Sequence, residues 1–291
     1  MTPSVSVIVP TRRRPLALAR CLAALAQLDH PAERLEVIVA DDGGTLGPFS
    51  PPEGQRVRIL RMAWRGPAAA RNAAAAVAEG DVVAFTDDDC EPDRGWLREL
   101  LPAISAGVAG GGHTTNRLPD NAYAATSQHV QDLVYAHFNC RPADARFIAS
   151  NNLAVPRADF AAVGGFDGRR FRGAAEDRDF CDRWRASGGR LVYVPEAVVR
   201  HAHDLDLPGF WRQHFGYGRG AACFHAARAA RGSGRLRDDM PFHFDPALWR
   251  ATFELRPRRR AARTAALLMV WQVANATGFA CERVRLGRDA V

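Results

Sequence analysis

The chain has 291 residues, 47% hydrophobic and 24% charged, proportions that exclude a disordered or fibrous protein and suit one large α/β domain or a main domain with a helical appendage. All 39 basic residues are Arg, the mark of a GC-rich coding bias, and the net charge of +7 favours anionic partners: nucleotide diphosphates, anionic lipid surfaces or nucleic acid. The six Cys have no C-x-x-C pair and no zinc-like spacing, which argues against a disulfide framework or structural metal and fits a reducing compartment.

In chain order, the β-branched run from Val5 to Val9 predicts a strand ending at Pro10. Pro15 then opens a helix with Leu18, Leu22 and Leu25 on one face, and Leu35 to Ala40 is a second strand, together a βαβ unit. A third strand lies near Val57 to Leu60, a helix runs from Pro67 to Ala78, and a fourth strand covers Val82 to Phe85. The apolar stretch after Met1 precedes the first basic cluster, the reverse of a signal peptide, so the expected location is the cytoplasm. Nearly continuous apolar strands alternating with helices point to a mostly parallel sheet buried on both faces. Ligands of such sheets bind beyond the carboxyl ends of the strands, where Thr11, Asp41, Asp42 and Asp87 to Asp89 follow the first, second and fourth.

Past Gly107 the pattern is mixed. Helices are expected near Ala122 to Tyr135 and Arg157 to Val163, with strands near Phe147 to Val155 and Arg190 to Val194. The stretches 110–121 and 139–152 read as loops that choose donor and acceptor. The expected domain spans residues 1–215, with a nucleotide-binding part to about 115 and an acceptor part from about 116. Residues 216–291 form a helical Arg-rich extension. Within it, Ala265 to Ala280 carries no charge and follows Arg256, Arg258, Arg259, Arg260 and Arg263. The run is short for a membrane span; an interfacial helix held to the inner face by basic residues and a helix docked on the domain both remain open.

The chemistry gathers on acids. Three adjacent carboxylates at a strand end oppose one another's ionisation, and a divalent cation relieves this; oxygen ligands favour Mg2+ or Mn2+. Alternation along an extended chain sets Asp87 and Asp89 on one side and Asp88 on the other, with Asp89 the direct ligand and Asp87 at the ribose or the metal's water. Asp41 and Asp42, before Gly43-Gly44, can accept hydrogen bonds from a base or ribose, or merely hold a turn. Arg71 can neutralise phosphate or contact the base. Of Glu176, Asp177 and Asp179 at a helix start, Asp179 lies four residues before Arg183 and suits a helical ion pair, leaving Asp177 as general base. His201 and His203 alternate onto one strand face, His201 near the metal or diphosphate. Asn151 and Asn152 can touch the acceptor or only bridge a strand end.

These segments, VSVIVPT, VIVADDG, GPAAARNAA, FTDDDCEPDRGWL, SNNLAVPRADFAAVGGFD, GAAEDRDFCDRWRASGG and VYVPEAVVRH, resemble in their order the family 2 glycosyltransferases with a GT-A fold over residues 4–215. The resemblance implies that Thr11 and Asp42 contact the nucleoside with Asp41 close by, that Arg71 helps hold uridine or its equivalent, and that Asp87 and Asp89 form the D-x-D pair for ribose and metal. It further implies that Asp177, in the Glu176-Asp177 pair, deprotonates the acceptor, that His201 approaches the metal, and that transfer inverts the anomeric carbon in one displacement. The Gln-x-x-Arg-Trp signature of processive synthases is absent, so one sugar is expected to pass from a UDP, GDP or dTDP donor to a glycan, lipid-linked or small-molecule acceptor. Three rivals are weaker. A sugar-1-phosphate nucleotidyltransferase would open with a Gly-rich loop, which Pro10-Thr-Arg-Arg-Arg lacks; a non-catalytic nucleotide-sugar-binding scaffold would have no use for Asp177; a nucleic-acid binder would show a recognisable module.

Overall fold

The structure is a computed structural model that describes residues 2–288 except 45, 48, 49 and 172, with backbone alone at 247 and 248. The chain forms two compact units, one of residues 1–115 and 141–202, the other of residues 116–140 and 203–291.

In the first unit, Val5–Thr11 (β1), Leu35–Asp42 (β2), Val57–Met62 (β3) and Val82–Phe85 (β4) are the expected strands, the first three extended by two residues at their carboxyl ends. They pair in parallel. Every residue of β1 and β4 is buried. Their side chains divide between two cores: Ile8, Val83 and Phe85 join one, while Val5, Val7, Val9, Val82 and Ala84 join the other. Between the strands run Pro15–Leu25 (α1), which buries Leu18, Cys21, Leu22 and Leu25 at helical spacing, and Pro67–Ala76 (α2), started by Gly66 and Pro67. Both elements follow the apolar periodicity of the sequence.

Cys90–Pro92 (β5), Val108–Asn116 (β6), Leu153–Pro156 (β7) and Arg190–His201 (β8) complete a mixed sheet of order β3-β2-β1-β4-β7-β6-β8-β5. The added pairings β4–β7, β6–β7 and β5–β8 are antiparallel. Trp96–Leu100 (α3), Arg157–Ala162 (α5) and Glu176–Ala186 (α6) pack here, with Trp96 in one core and Phe160, Phe180 and Trp184 in the other.

β6 runs through a stretch the sequence marks as loop. Its glycines are why: a Cβ on Gly111 would strike the carbonyl of Asn152, and one on Gly112 the carbonyl of Ala197. Close strand approach needs side-chain-free positions there, and these carry no strand propensity.

The second unit holds Ala122–Phe138 (α4), Leu207–Arg231 (α7), Met240–Phe244 (α8), Pro246–Phe253 (α9) and Arg258–Arg288 (α10). Its core joins Val130 of α4 to Phe210, Phe242, Leu267, Leu268 and Trp271. This differs from the expected division at 215 for a physical reason. α4 buries its apolar face with the C-terminal helices, and α7 continues unbroken from 207 to 231. α7 and α10 approach through glycines, since a Cβ on Gly218 would meet the Asn275 carbonyl and one on Gly278 the Phe215 carbonyl. α10 has 31 residues, twice the uncharged run that marks it in the sequence, and among the described residues it is the one helix long and apolar enough to cross a membrane; a core helix passes the same criterion.

Candidate active site

Register fixes which side chains meet at the carboxyl edge of the parallel strands. Thr11 lies opposite Asp41, and Ile8 opposite Phe85, so the chain leaving β4 passes the end of β1 and Thr11 Oγ1 donates to Asp88 Oδ2 at 2.7 Å. Asp88 is buried, whereas Asp87 and Asp89 are partly open, in a turn closed by the Cys90 N–H donating to the Asp87 carbonyl. Burial pushes the Asp88 carboxyl up to about 6; the Thr11 hydrogen bond and Arg14 pull it down, and Asp89 and Asp87 add to the rise.

Just past Asp89 the chain enters β5, whose pairing with β8 sets Cys90 opposite His201. Asp89 thereby has a cationic or polar nitrogen at each oxygen: His201 Nε2 lies 3.2 Å from Oδ1, and Arg14 Nη1 donates to Oδ2 at 2.7 Å. Arg14 also reaches Asp88 Oδ1 at 3.2 Å. The ligand atoms of Asp89, Cys90 and His201 fall within 4.8 Å of one another. Burial disfavours charge on His201, yet the hydrogen bond and charge of Asp89 hold its pKa above the ordinary value. Burial, with the nearby Asp89 and Asp87 charges, keeps the Cys90 thiol well above its usual range. The Asp89 carboxylate oxygen and the His201 imidazole nitrogen form a donor pair that suits a divalent cation. Asp87, expected at the ribose or the metal's water, pairs with Arg71.

Arg71 is 3% exposed in the second turn of α2. Its Nη2 lies 2.5 Å from Asp87 Oδ1 and its Nη1 2.8 Å from Glu176 Oε1. Burial works against its charge, but Asp87 and Glu176 more than compensate and raise its pKa. One guanidinium thus joins the acidic strand end to the start of α6. There Asp177 accepts the backbone N–H of Arg178 at 2.7 Å and of Ser150 at 3.3 Å. Burial, reinforced by the Glu176 charge, nevertheless pushes Asp177 up to about 7. Asp179 makes the helical ion pair with Arg183 at 2.7 Å. Among the described residues only Arg13 and Ala175 have positive φ without being glycine, at 57° and 71°. Arg13 immediately precedes Arg14, and Ala175 immediately precedes Glu176, so backbone strain is concentrated beside the site.

At the end of β2 both carboxylates are engaged with backbone. Asp41 Oδ2 accepts from Leu46 N at 3.0 Å; Asp42 accepts from Arg65 N at 2.7 Å and Gly66 N at 2.9 Å. Both carboxylates thereby shape the loops around them. Asn151 accepts from Thr114 Oγ1 at 3.4 Å. Asn152 is fully buried: its Oδ1 accepts from Trp96 Nε1 at 2.8 Å and its Nδ2 donates to the carbonyls of Ala197 at 2.9 Å and His113 at 3.2 Å. Of the two roles open to Asn152 in the sequence, these contacts are those of the bridge, its amide being consumed inside the sheet. His203 lies beyond the end of β8, with Nδ1 3.5 Å from Gln213 Nε2. Arg14 is the functional candidate that sequence reasoning misses: nothing in the run Arg12-Arg13-Arg14 marks which one turns onto the acids.

Residues 6–160 match the model described as glycosyl transferase family 2. The pre-mycofactocin glycosyltransferase of Mycobacterium tuberculosis is 31% identical over 239 residues, 75% of this chain and 47% of its own length; the chain spans about half the length of the curated relatives it matches. Among solved structures, a mannosyltransferase from Pyrobaculum calidifontis in complex with GDP-Man and Mn2+ aligns over all of this chain and 81% of its own, with TM-score 0.59 and 19% identity. GalNAc-T7 with UDP, GalNAc and Mn2+ aligns over 84% of this chain and 54% of its own, with TM-score 0.55 and 17% identity. At these identities the likeness establishes the fold, which is the GT-A arrangement. The family match covers more than half the chain and runs through β1, α2 and the acidic turn: the protein belongs to glycosyl transferase family 2.

Proposed function

We propose that this protein transfers a single sugar from a nucleotide-diphosphate donor to an acceptor hydroxyl, with inversion at the anomeric carbon. The observation that carries the reading is the cluster in which the buried Arg71 guanidinium ties Asp87 at the acidic strand end to Glu176, next to Asp177, whose carboxyl burial and the Glu176 charge push up to about 7. Solved relatives carry GDP-Man, UDP and Mn2+, so a UDP, GDP or dTDP sugar with Mn2+ or Mg2+ is the proposed donor complex. Asp89 and His201 are the groups to hold the ion, which supplies positive charge to the leaving diphosphate. Thr11, Asp41 and Asp42 line the nucleoside end, and Arg71 holds Asp87 in place. Asp177 takes the acceptor O–H proton as that oxygen attacks the anomeric carbon and the nucleoside diphosphate leaves. One base suffices for this displacement.

The acceptor is proposed to be a glycan, a lipid-linked molecule or a small molecule. α10 exposes Ala266, Met269, Val273, Ala276, Ala280 and Val284 on one side, with Arg258, Arg259, Arg260 and Arg263 at its start. This pattern supports peripheral contact with an anionic membrane face. The test of the function is the substitution Asp177→Asn, which should retain donor binding while transfer falls by at least 100-fold. Donor binding without turnover in the parent protein over a broad acceptor panel would favour a scaffold instead.

A further inference from the structure

Trp64 is 65% exposed, unusual for the largest apolar side chain, and it stands just past the carboxyl end of β3. The Arg12 guanidinium lies over its ring, 4.8 Å from the centroid. Arg12 follows the end of β1. Since the strand order is β3-β2-β1, a contact between the chain leaving β1 and the chain leaving β3 must span the end of β2, where Asp41 and Asp42 stand. The platform is held from below, because Asp42 takes the backbone N–H groups of Arg65 and Gly66, the two residues after Trp64, at 2.7 and 2.9 Å. Gly66 at φ 92° makes the turn into α2 that this geometry needs. A flat aromatic face fixed at its backbone, with a guanidinium as exchangeable cover, is the arrangement that stacks a nucleobase.

We infer that Trp64 is the stacking face for the donor's nucleobase, entered by exchange with Arg12, and that Asp42 serves the base by positioning this tryptophan as well as by any contact of its own. The inference rests on the proposed nucleotide-sugar donor and adds to it the group that reads the base. Stacking tolerates any base, so Trp64 supplies affinity for UDP and GDP alike and leaves the choice between them to hydrogen bonds at the end of β2.

The experiment is titration of the full chain with UDP, GDP and inorganic pyrophosphate in Mn2+, read by calorimetry and by tryptophan fluorescence. The chain has six Trp, so the Trp64→Phe variant isolates the signal of position 64. UDP and GDP are expected to quench the parent, to quench Trp64→Phe much less while still binding it within about threefold, and to bind Trp64→Ala roughly 5- to 150-fold more weakly. Pyrophosphate, which has no base, should bind parent and Trp64→Ala equally. The exposed position lets Trp64→Ala keep the parent's thermal midpoint, which the same samples check. Nucleotide binding with unchanged affinity in Trp64→Ala and no quenching assigned to Trp64 overturns the inference and leaves the donor reading standing. An equal loss for pyrophosphate and UDP overturns it too, since the effect would then lie at the phosphates. Absence of any nucleotide binding to the parent removes both.

Discussion

At the scale of single residues the site is a balance of buried charge, and Arg71 is its fulcrum. Removing that guanidinium leaves Asp87 and the buried Glu176 without their counter-charge, so Arg71→Ala should cost about 3–5 kcal/mol of unfolding free energy. Urea denaturation measures it, and a loss below about 1 kcal/mol would show the bridge to be idle. Arg71→Lys should recover little, because one ammonium cannot reproduce the fork that reaches two carboxylates. Asp177 yields a pH dependence whose sign is fixed. Its carboxyl is unprotonated above about 4 in the unfolded chain but keeps its proton to about 7 when folded, through burial and Glu176. Over that window rising pH lowers stability through this group, while the proposed role as base needs the ionised form. Transfer at limiting substrate should therefore rise with pH through about 7 and then level, and Asp177→Asn should be at least as stable as the parent at pH 8 although it does not transfer. Activity that falls through this range would contradict the assignment of the base. The acids themselves were legible, because carboxylates beyond a buried strand have few structural reasons to cluster. Arg14 was not: its contact with Asp88 and Asp89 depends on the left-handed turn at Arg13, which no local pattern announces.

At the scale of elements, legibility follows from how much of a segment's burial its own side chains provide. β1, α1, β2 and β4 bury their own apolar periodicity, so their places in the chain are plain. β6 is central yet built on glycine, and its stability comes from backbones that meet where a Cβ would not fit. Its burial is thus a property of its neighbours Asn152 and Ala197 and invisible in its own residues. Gly112→Ala tests this: added volume against the Ala197 carbonyl should destabilise the protein by about 1–3 kcal/mol, whereas the same substitution at the open position Gly173 should cost far less. Equal effects at the two positions, measured by thermal unfolding, would contradict the close packing. Helices α4 and α7 were legible as helices but not in their allegiance, since only the shared cluster around Phe210 and Trp271 reveals that residues 116–140 leave the sheet for the C-terminal unit.

At the scale of the whole molecule, charge and fold converge on anionic ligands. The net charge of +7 is spread along the chain, but the Arg residues opening α10 have no acidic neighbour in the first turn and stand at the helix end where the dipole already repels cations. An anionic surface offsets that cost. Binding to vesicles containing anionic lipid should therefore be detectable by flotation at low salt, fall steeply as salt is raised, and weaken in Met269→Glu; no binding at low salt would contradict the membrane contact. The proposed transfer stands on the donor site. Its most direct test is a thermal-shift or calorimetric titration with UDP-, GDP- and dTDP-sugars, with and without Mn2+, on the parent and on Asp89→Ala. At least one donor should stabilise the parent in a Mn2+-dependent way, by about 2.7 kcal/mol at a hundredfold excess over its Kd, and Asp89→Ala should abolish the effect. A parent protein that no nucleotide sugar stabilises, with or without Mn2+, would contradict the account at its centre.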